Sequence, residues 1–221
     1  MDYAAQTANL LKALFPKLLE GFAVTLSVAL ASMALALVLG VLLLGPRMAR
    51  SRLLRLPVEA YIELMRNTPL LLQIYLIYFG LPLLGFFPSE FVCGVVGIAL
   101  QHAAFLVEIL RGGVESISQR QWEAARAIGM RRLATFRYVI LPQTFLKVLG
   151  PLGNQLIILV KDTSLVSAIG VMELTMVGKV AIERSAVSIE IFAAIAVFYL
   201  AVTSALGGAL RLLEQRTAAR L

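Results

Sequence analysis

The sequence has a single cysteine, Cys93, and little charge: only 15% of its 221 residues are Asp, Glu, Lys or Arg. One cysteine excludes an internal disulfide, and a cysteine inside an apolar run is an inert packing residue. The shortage of charge excludes an ordinary soluble domain, in which roughly a quarter of residues are charged. Several chemical signatures are also missing. There is no G-x-x-x-x-G-K-[ST] phosphate loop, no HExxH or paired-cysteine metal motif, and no nucleophile-elbow serine. Any ATP chemistry would have to come from a partner, and no cofactor is expected in this chain. No Pro/Gly/Ser linker, low-complexity tract or usable repeat divides the sequence, so residues 1–221 read as one domain. A cleavable signal peptide is not expected either. The first long apolar run starts near Phe22, behind Lys12, Lys17 and Glu20, without a small-residue cleavage site.

What the chain has in excess is apolar side chains, 60% of the total. Crossing a bilayer core takes about 20 apolar residues in a helix. Phe22–Leu44 is a retained span, free of charge. Pro69–Pro88 follows a polar helical segment that starts at Pro57. Phe91–Val107 is bounded by Glu90 and Glu108. Val148–Val171 is interrupted by Lys161, Asp162, Thr163 and Ser164, and Ile191–Leu210 is uninterrupted. The expected fold is therefore all-α, a membrane protein of five transmembrane helices.

Five spans put the termini on opposite sides, and lysine and arginine decide which is which. One side holds Arg47, Arg50, Arg52 and Arg55, then Arg111, Arg120, Arg126, Arg131, Arg132, Arg137 and Lys147, then Arg211, Arg216 and Arg220. The other holds Lys12, Lys17, Lys179 and Arg184. This asymmetry places the N-terminus outside and the C-terminus in the cytoplasm. The net charge of +7 follows topology and is no nucleic-acid footprint. In the last span, Ala201, Ala205 and Ala209 repeat every four residues, as do Ser204 and Gly208, which suits close helix packing within the chain or between subunits.

The stretch from Arg111 to Pro142 is too long for a simple connection. Trp122, Ala125, Ile128, Leu133, Phe136 and Ile140 recur near helical spacing, with Gly129 between the halves. Two short helices joined by a left-handed glycine turn are expected. Small Ala124 and Ala125 would let a partner sit close. An amphipathic pair lying on lipid headgroups fits the same pattern.

Ionisable groups inside spans tend to mark pathways. Asn154 and Gln155 lie seven residues before Lys161 and Asp162, so each pair shares a helical face. Neighbouring Lys161 and Asp162 would converge only at a local break, where the hydroxyls of Thr163 and Ser164 could satisfy freed backbone. Glu59, Glu63, Arg66 and Gln73 share another face, with Glu63 and Arg66 at pairing distance. Pro69 removes a helical hydrogen bond in the turn containing Met65, next to Thr68. Gln101 and His102 are the polar pair of the third span. For all of these groups a purely structural ion-pair or hydrogen-bond role remains the competing reading.

Glu123-Ala124-Ala125, then Gly129, then Val139-Ile140-Leu141-Pro142 resembles the EAA signature of ABC importer permeases, with Val139 where that pattern has isoleucine. Arg66-Asn67-Thr68-Pro69-Leu70-Leu71, Glu108-Ile109-Leu110-Arg111-Gly112-Gly113, Leu141-Pro142-Gln143 and Lys161-Asp162-Thr163-Ser164-Leu165 are similar to the polar amino acid branch, which includes histidine, glutamine, glutamate and arginine permeases. The resemblance covers roughly residues 20–215 in the family's order. It implies a type I ABC importer permease fold and a coupling loop over 112–142, with Glu123, Ala124, Ala125, Gly129, Val139, Leu141 and Pro142 docking on an ATPase dimer that uses ATP and Mg. It implies a second permease, identical or homologous, a periplasmic binding protein and a polar amino acid substrate, all at the bacterial inner membrane. The chain itself would be no enzyme.

For the substrate path the expectation gathers Arg66, Thr68, Gln101, His102, Asn154, Lys161, Asp162, Thr163 and Ser164. An amino acid needs both charge senses in its site: Asp162 would receive the ammonium, and the planar fork of Arg66 would hold the carboxylate. The competing class is an ion-coupled secondary transporter, which intramembrane charges would also suit. It would typically need more spans and would not need the EAA loop. A membrane-embedded enzyme lacks a catalytic constellation. The topology has a direct check. Arg50→Cys and Val180→Cys proteins should label oppositely with an impermeant thiol reagent added from the periplasm, and equal labelling contradicts the five-span orientation.

Overall fold

The computed structural model describes residues 3–218, so Arg220 of the C-terminal basic tail lies outside the described residues. Every described element is helical. Helix α1 spans Tyr3–Arg47, α2 Arg52–Asn67, α3 Leu70–Gly80 and α4 Glu90–Glu115. Helix α5 spans Gln119–Ala127, α6 Arg132–Thr135, α7 Leu141–Asp162, α8 Leu174–Ser185 and α9 Ile189–Ala218. Short 3-10 turns follow α3 and α7, at Leu81–Leu84 and Thr163–Ile169, and a π turn at Phe136–Ile140 leads into α7.

Four of these helical stretches are long and apolar enough to cross a membrane, and a fifth crossing is reached if α2 and α3 count as one broken span. The expected spans Phe22–Leu44, Phe91–Val107 and Ile191–Leu210 each fall inside one helix. Helix α1, at 45 residues, is about 68 Å long at 1.5 Å per residue, far more than the ~30 Å hydrocarbon core. The stretch Pro69–Pro88 is different. It is helical only to Leu84, where Gly85 ends the turn with φ of 84°, and α3 bends 107° away from α2. Proline explains the bend: Pro69 has no N–H for the helical ladder, and its ring drives the preceding residue toward extended backbone. Thr68 accordingly has φ −115° and ψ 144°.

Helix α4 is the centre of the bundle, with 61% of its most apolar window buried against 11% for α9. Small residues make that position possible. A side chain at Gly94 would meet Val166, and one at Gly113 would collide with Val148 of α7. The main core joins α1, α3, α4 and the end of α7 through Val28, Ile74, Ile98, Leu159 and Val166. Helices α1 and α9 turn Leu30, Val38, Leu42, Val197 and Leu200 outward, the apolar exterior that a bilayer solvates. The α9 stripe of Ala201, Ala205 and Ala209 is exposed too, so it does not pack within the chain.

Helix α8 lies between Val171 and Ile191, where hydropathy offers no span. It docks through one buried carboxylate. Glu173 caps α8 by accepting from the N–H of Thr175 and of Met176, both at 2.9 Å. It also accepts from Tyr199 of α9 at 3.0 Å and from Thr25 of α1 at 3.4 Å. Thr25 in turn accepts from the N–H of Leu174 at 3.1 Å. Three helices thus meet on a fully buried group, and an unpartnered buried donor is expensive. Glu173→Ala should lower stability by about 2–3 kcal/mol, the scale of a lost cap plus a charge-assisted hydrogen bond. Thermal unfolding of the purified protein in detergent measures this, with Glu173→Gln losing less; a wild-type midpoint in Glu173→Ala contradicts it.

Candidate functional site

Polar chemistry gathers first at the break between α2 and α3. Pro69 frees the Met65 carbonyl, and two glutamines take it up. Gln73 donates to Met65 O at 2.9 Å and to the Thr68 hydroxyl at 2.6 Å. Gln101 of α4 donates to the carbonyls of Met65 and Thr68, each at 3.1 Å. Thr68 itself donates to Leu64 O at 2.7 Å. Arg66 is exposed at the end of α2, and its guanidinium lies 5.2 Å from the ring centre of Phe105, a cation–π distance. It makes no ion pair with Glu63 among the described residues. Glu59, on the same stripe, is instead committed to Arg47 and Arg55.

The second gathering is at the end of α7. The α-helix runs unbroken through Lys161 and Asp162 and tightens only at Thr163. Lys161 and Asp162 therefore diverge, as adjacent helical residues must. Lys161 and Asn154 share an exposed face. Asp162 and Gln155 share the adjacent, more buried face, and both touch His102: Asp162 Oδ2 is 3.1 Å from His102 Nε2, and Gln155 Nε2 is 2.8 Å from His102 Nδ1. His102 is 1% exposed. The hydroxyls behave as the break requires. Thr163, fully buried, donates to Val160 O at 2.7 Å, and Ser164 donates to Lys161 O at 2.8 Å.

Of the candidate path residues, the structure thus joins Gln101 to Thr68 and His102 to Asp162. The aromatic ring of Phe105, one turn from His102 at 6.4 Å between centroids, connects the Arg66 and Asp162 sides. Thr163 is turned inward, and Asn154 and Lys161 face away. Gln155, Phe105 and Gln73 are additions that sequence reasoning did not assign to the path. Gln155 carried a signal, its seven-residue spacing from Asp162; Phe105 carried none.

The third gathering is the loop around Gly129. Ser118 caps α5 by accepting from the N–H of Arg120 at 3.3 Å. Trp122 packs on a small core of Val114, Ile117 and Ile140, and Ala125 is buried beside it. Glu123 and Ala124 point outward. Gly129 has φ of 80° and closes the turn, as expected. Ile128 and Leu133, on either side of that turn, leave the apolar stripe and are both 78% exposed, whereas Phe136 and Ile140 beyond it join the core under Trp122. Only Ala124 of the alanine pair offers a close approach. The second expected helix is not separate either, since α6 and the π turn flow into α7. Pro142 lacks an N–H, and a widened turn before it accommodates the missing donor. Gln143 also donates its side-chain amide to Val139 O at 2.7 Å. Val139 is half-buried, and Leu141 and Pro142 are exposed.

Beside this loop, Arg47 at the end of α1 pairs with Glu59 at 2.8 Å and with Glu108 at 2.9 Å. Arg111 pairs with Glu108 at 2.7 Å and with Glu115 at 2.6 Å. The result is one ionic network across α1, α2 and α4.

Residues 36–219 match the family of binding-protein-dependent transport system inner membrane components. The glutamine transport system permease protein of Escherichia coli (strain K12) is 42% identical over 203 residues, covering 91% of this chain and 93% of that protein. The octopine transport system permease protein of Rhizobium radiobacter is 38% identical over 195 residues, covering 84% and 80%. Among solved structures, the crystal structure of an amino acid ABC transporter with histidines superposes with a TM-score of 0.89 at 30% identity, covering 98% of this chain and 99% of that one. An inward-facing methionine ABC transporter shares the fold, with a TM-score of 0.72 at 19% identity and the same coverage of each chain.

Proposed function

We propose a working arrangement for this chain on the premise that it belongs to the family of binding-protein-dependent transport system inner membrane components. It is the permease subunit of an ATP-driven importer of polar amino acids, a non-catalytic, multi-pass component of the inner membrane. Its fold is the all-α membrane fold of ABC importers. Importers of this kind pair two permeases with an ATPase dimer, which uses ATP and Mg, and a periplasmic binding protein. The ion-coupled alternative has no observation of its own in its favour.

Within that frame the chain crosses five times, with α2 and α3 together forming the second crossing, the N-terminus outside and the C-terminus in the cytoplasm. The lysine and arginine asymmetry supports this orientation. The loop over 112–142 transmits the ATPase's motion. What carries this reading is the two-sidedness of α5: Trp122 and Ala125 anchor it to the bundle, while Glu123 and Ala124 are presented outward beside the Gly129 turn. Exposed Ile128, Leu133 and Leu141 extend the contact surface. A lever needs both a rigid root and a free face.

The substrate path runs between the α2–α3 break and the end of α7. Asp162 receives the ammonium and Arg66 the carboxylate, with Thr68 and Ser164 at the margins. The support is that both charges border one face of α4, Arg66 over Phe105 and Asp162 against His102. Neither is neutralised by an ion pair with a permanently charged side chain among the described residues.

Two experiments test these readings separately. Gly129→Val places a β-branched side chain at positive φ, where it costs about 1–3 kcal/mol of local strain. The variant should insert and assemble yet lose transport and substrate-stimulated ATP hydrolysis in proteoliposomes; normal coupling in an assembled complex contradicts the lever. Asp162→Asn keeps shape and removes charge. It and Arg66→Gln should each cut uptake of radiolabelled polar L-amino acids by about tenfold, the scale of one charge-assisted contact. If both variants take up the mixture at wild-type rate, the two residues are structural.

A further inference from the structure

We infer that His102 is the positioning residue of the ammonium site, a neutral donor that aims Asp162 at the cargo. The inference rests on the reading of Asp162 given above and assigns a cause to its orientation. His102 cannot meet substrate itself, because only 1% of it is exposed. Both of its ring nitrogens are engaged, Nδ1 with Gln155 Nε2 at 2.8 Å and Nε2 with Asp162 Oδ2 at 3.1 Å. An amide nitrogen only donates, so Nδ1 is the acceptor, and the proton of a neutral ring stands on Nε2, facing the carboxylate. With the amide turned over, only a doubly protonated ring would keep both contacts, and its charge would cancel that of Asp162; the amide as it stands needs no second proton. Gln155, itself buried, therefore selects the tautomer that holds Asp162.

A neutral donor suits this place for an electrostatic reason. A lysine or arginine partner would fix the carboxylate but cancel the charge needed for an arriving ammonium. An imidazole N–H fixes one oxygen and leaves the charge in place. Asp162 is partly exposed, and its Oδ1 has no hydrogen-bond partner among the described residues. That oxygen is the one available to cargo. His102 and Phe105 stand three residues apart on α4, so the same helical turn that holds Asp162 also carries the ring beneath Arg66. Rotation of α4 would move the two supporting rings together.

The test uses the complete importer in proteoliposomes and uptake of the radiolabelled polar L-amino acid mixture at subsaturating concentration. His102→Leu keeps bulk and removes the donor; uptake should fall about tenfold, as for loss of a hydrogen bond to a charged group. His102→Gln, whose amide nitrogen reaches about as far as Nε2, should recover to within about threefold of wild type by the same reasoning. The combination His102→Leu with Asp162→Asn should be no worse than Asp162→Asn alone, because residues acting as one unit are not additive. Additive losses, or full activity of His102→Leu beside an impaired Asp162→Asn, overturn the positioning role and leave Asp162 in place. Failure of His102→Gln to recover in an assembled complex also overturns it. A silent Asp162→Asn removes the site reading itself, and this inference with it. If His102→Leu does not assemble, Gln155→Leu replaces it. That variant should lower uptake at least about threefold through loss of the tautomer lock and add nothing to Asp162→Asn; wild-type uptake in Gln155→Leu overturns the proposal.

Discussion

A main chain that leaves the helical ladder inside a bilayer exposes polar groups that hydrocarbon cannot solvate, and each needs a partner supplied by the protein. This chain leaves the ladder twice near its candidate site. At Pro69 the freed Met65 and Thr68 carbonyls are met by Gln73 and Gln101. After Asp162 the hydroxyls of Thr163, Ser164 and Ser167 fold back onto carbonyls three residues earlier. The linker beyond is closed by Glu173, which also recruits Thr25 and Tyr199. Gln73, Gln101, Thr163, Ser164 and Ser167 are thus first of all backbone repairs. The breaks they stabilise create the places where a polar cargo could find hydrogen bonds.

Charge is handled in two different ways. At the arginine-rich end, Arg47, Arg55 and Arg111 share Glu59, Glu108 and Glu115 in a paired network. Exposed pairs are worth little singly, but these connect three separate helices and fix how α1, α2 and α4 meet. Arg66 and Asp162 are held by an aromatic ring and an imidazole instead. Neither belongs to the paired network, and that difference separates the scaffold from the candidate site.

The loop around Gly129 shows the same economy of means. A small core under Trp122 roots α5 on the continuation of α4 and the approach to α7. The π turn before Pro142 makes α6 and α7 one nearly continuous rod. Residues 132–162 are thus helical without a gap, from the edge of the loop to Asp162.

The sequence alone determined the all-helical membrane character, because 60% apolar content in long uncharged runs has no other stable solution. It determined the glycine turn at 129 and the break near Pro69, since φ > 0 and a missing N–H are local properties of single residues. The shared face of Gln155 and Asp162 followed from spacing within one helix. It could not say that Pro69–Pro88 bends by 107° and ends its helix at Leu84, nor that the α9 alanine stripe is left uncovered. Those outcomes depend on what packs from elsewhere in the chain. Glu173 gave no sign of joining three helices, nor Arg47 of reaching Glu108, because their partners lie dozens of positions away or more and periodicity is blind beyond one element. His102 is the sharpest case. Its identity and its place in a span were visible, but its partners, Gln155 and Asp162, belong to α7. Only the packing of α7 against α4, close because Gly113 admits Val148, decided that they meet.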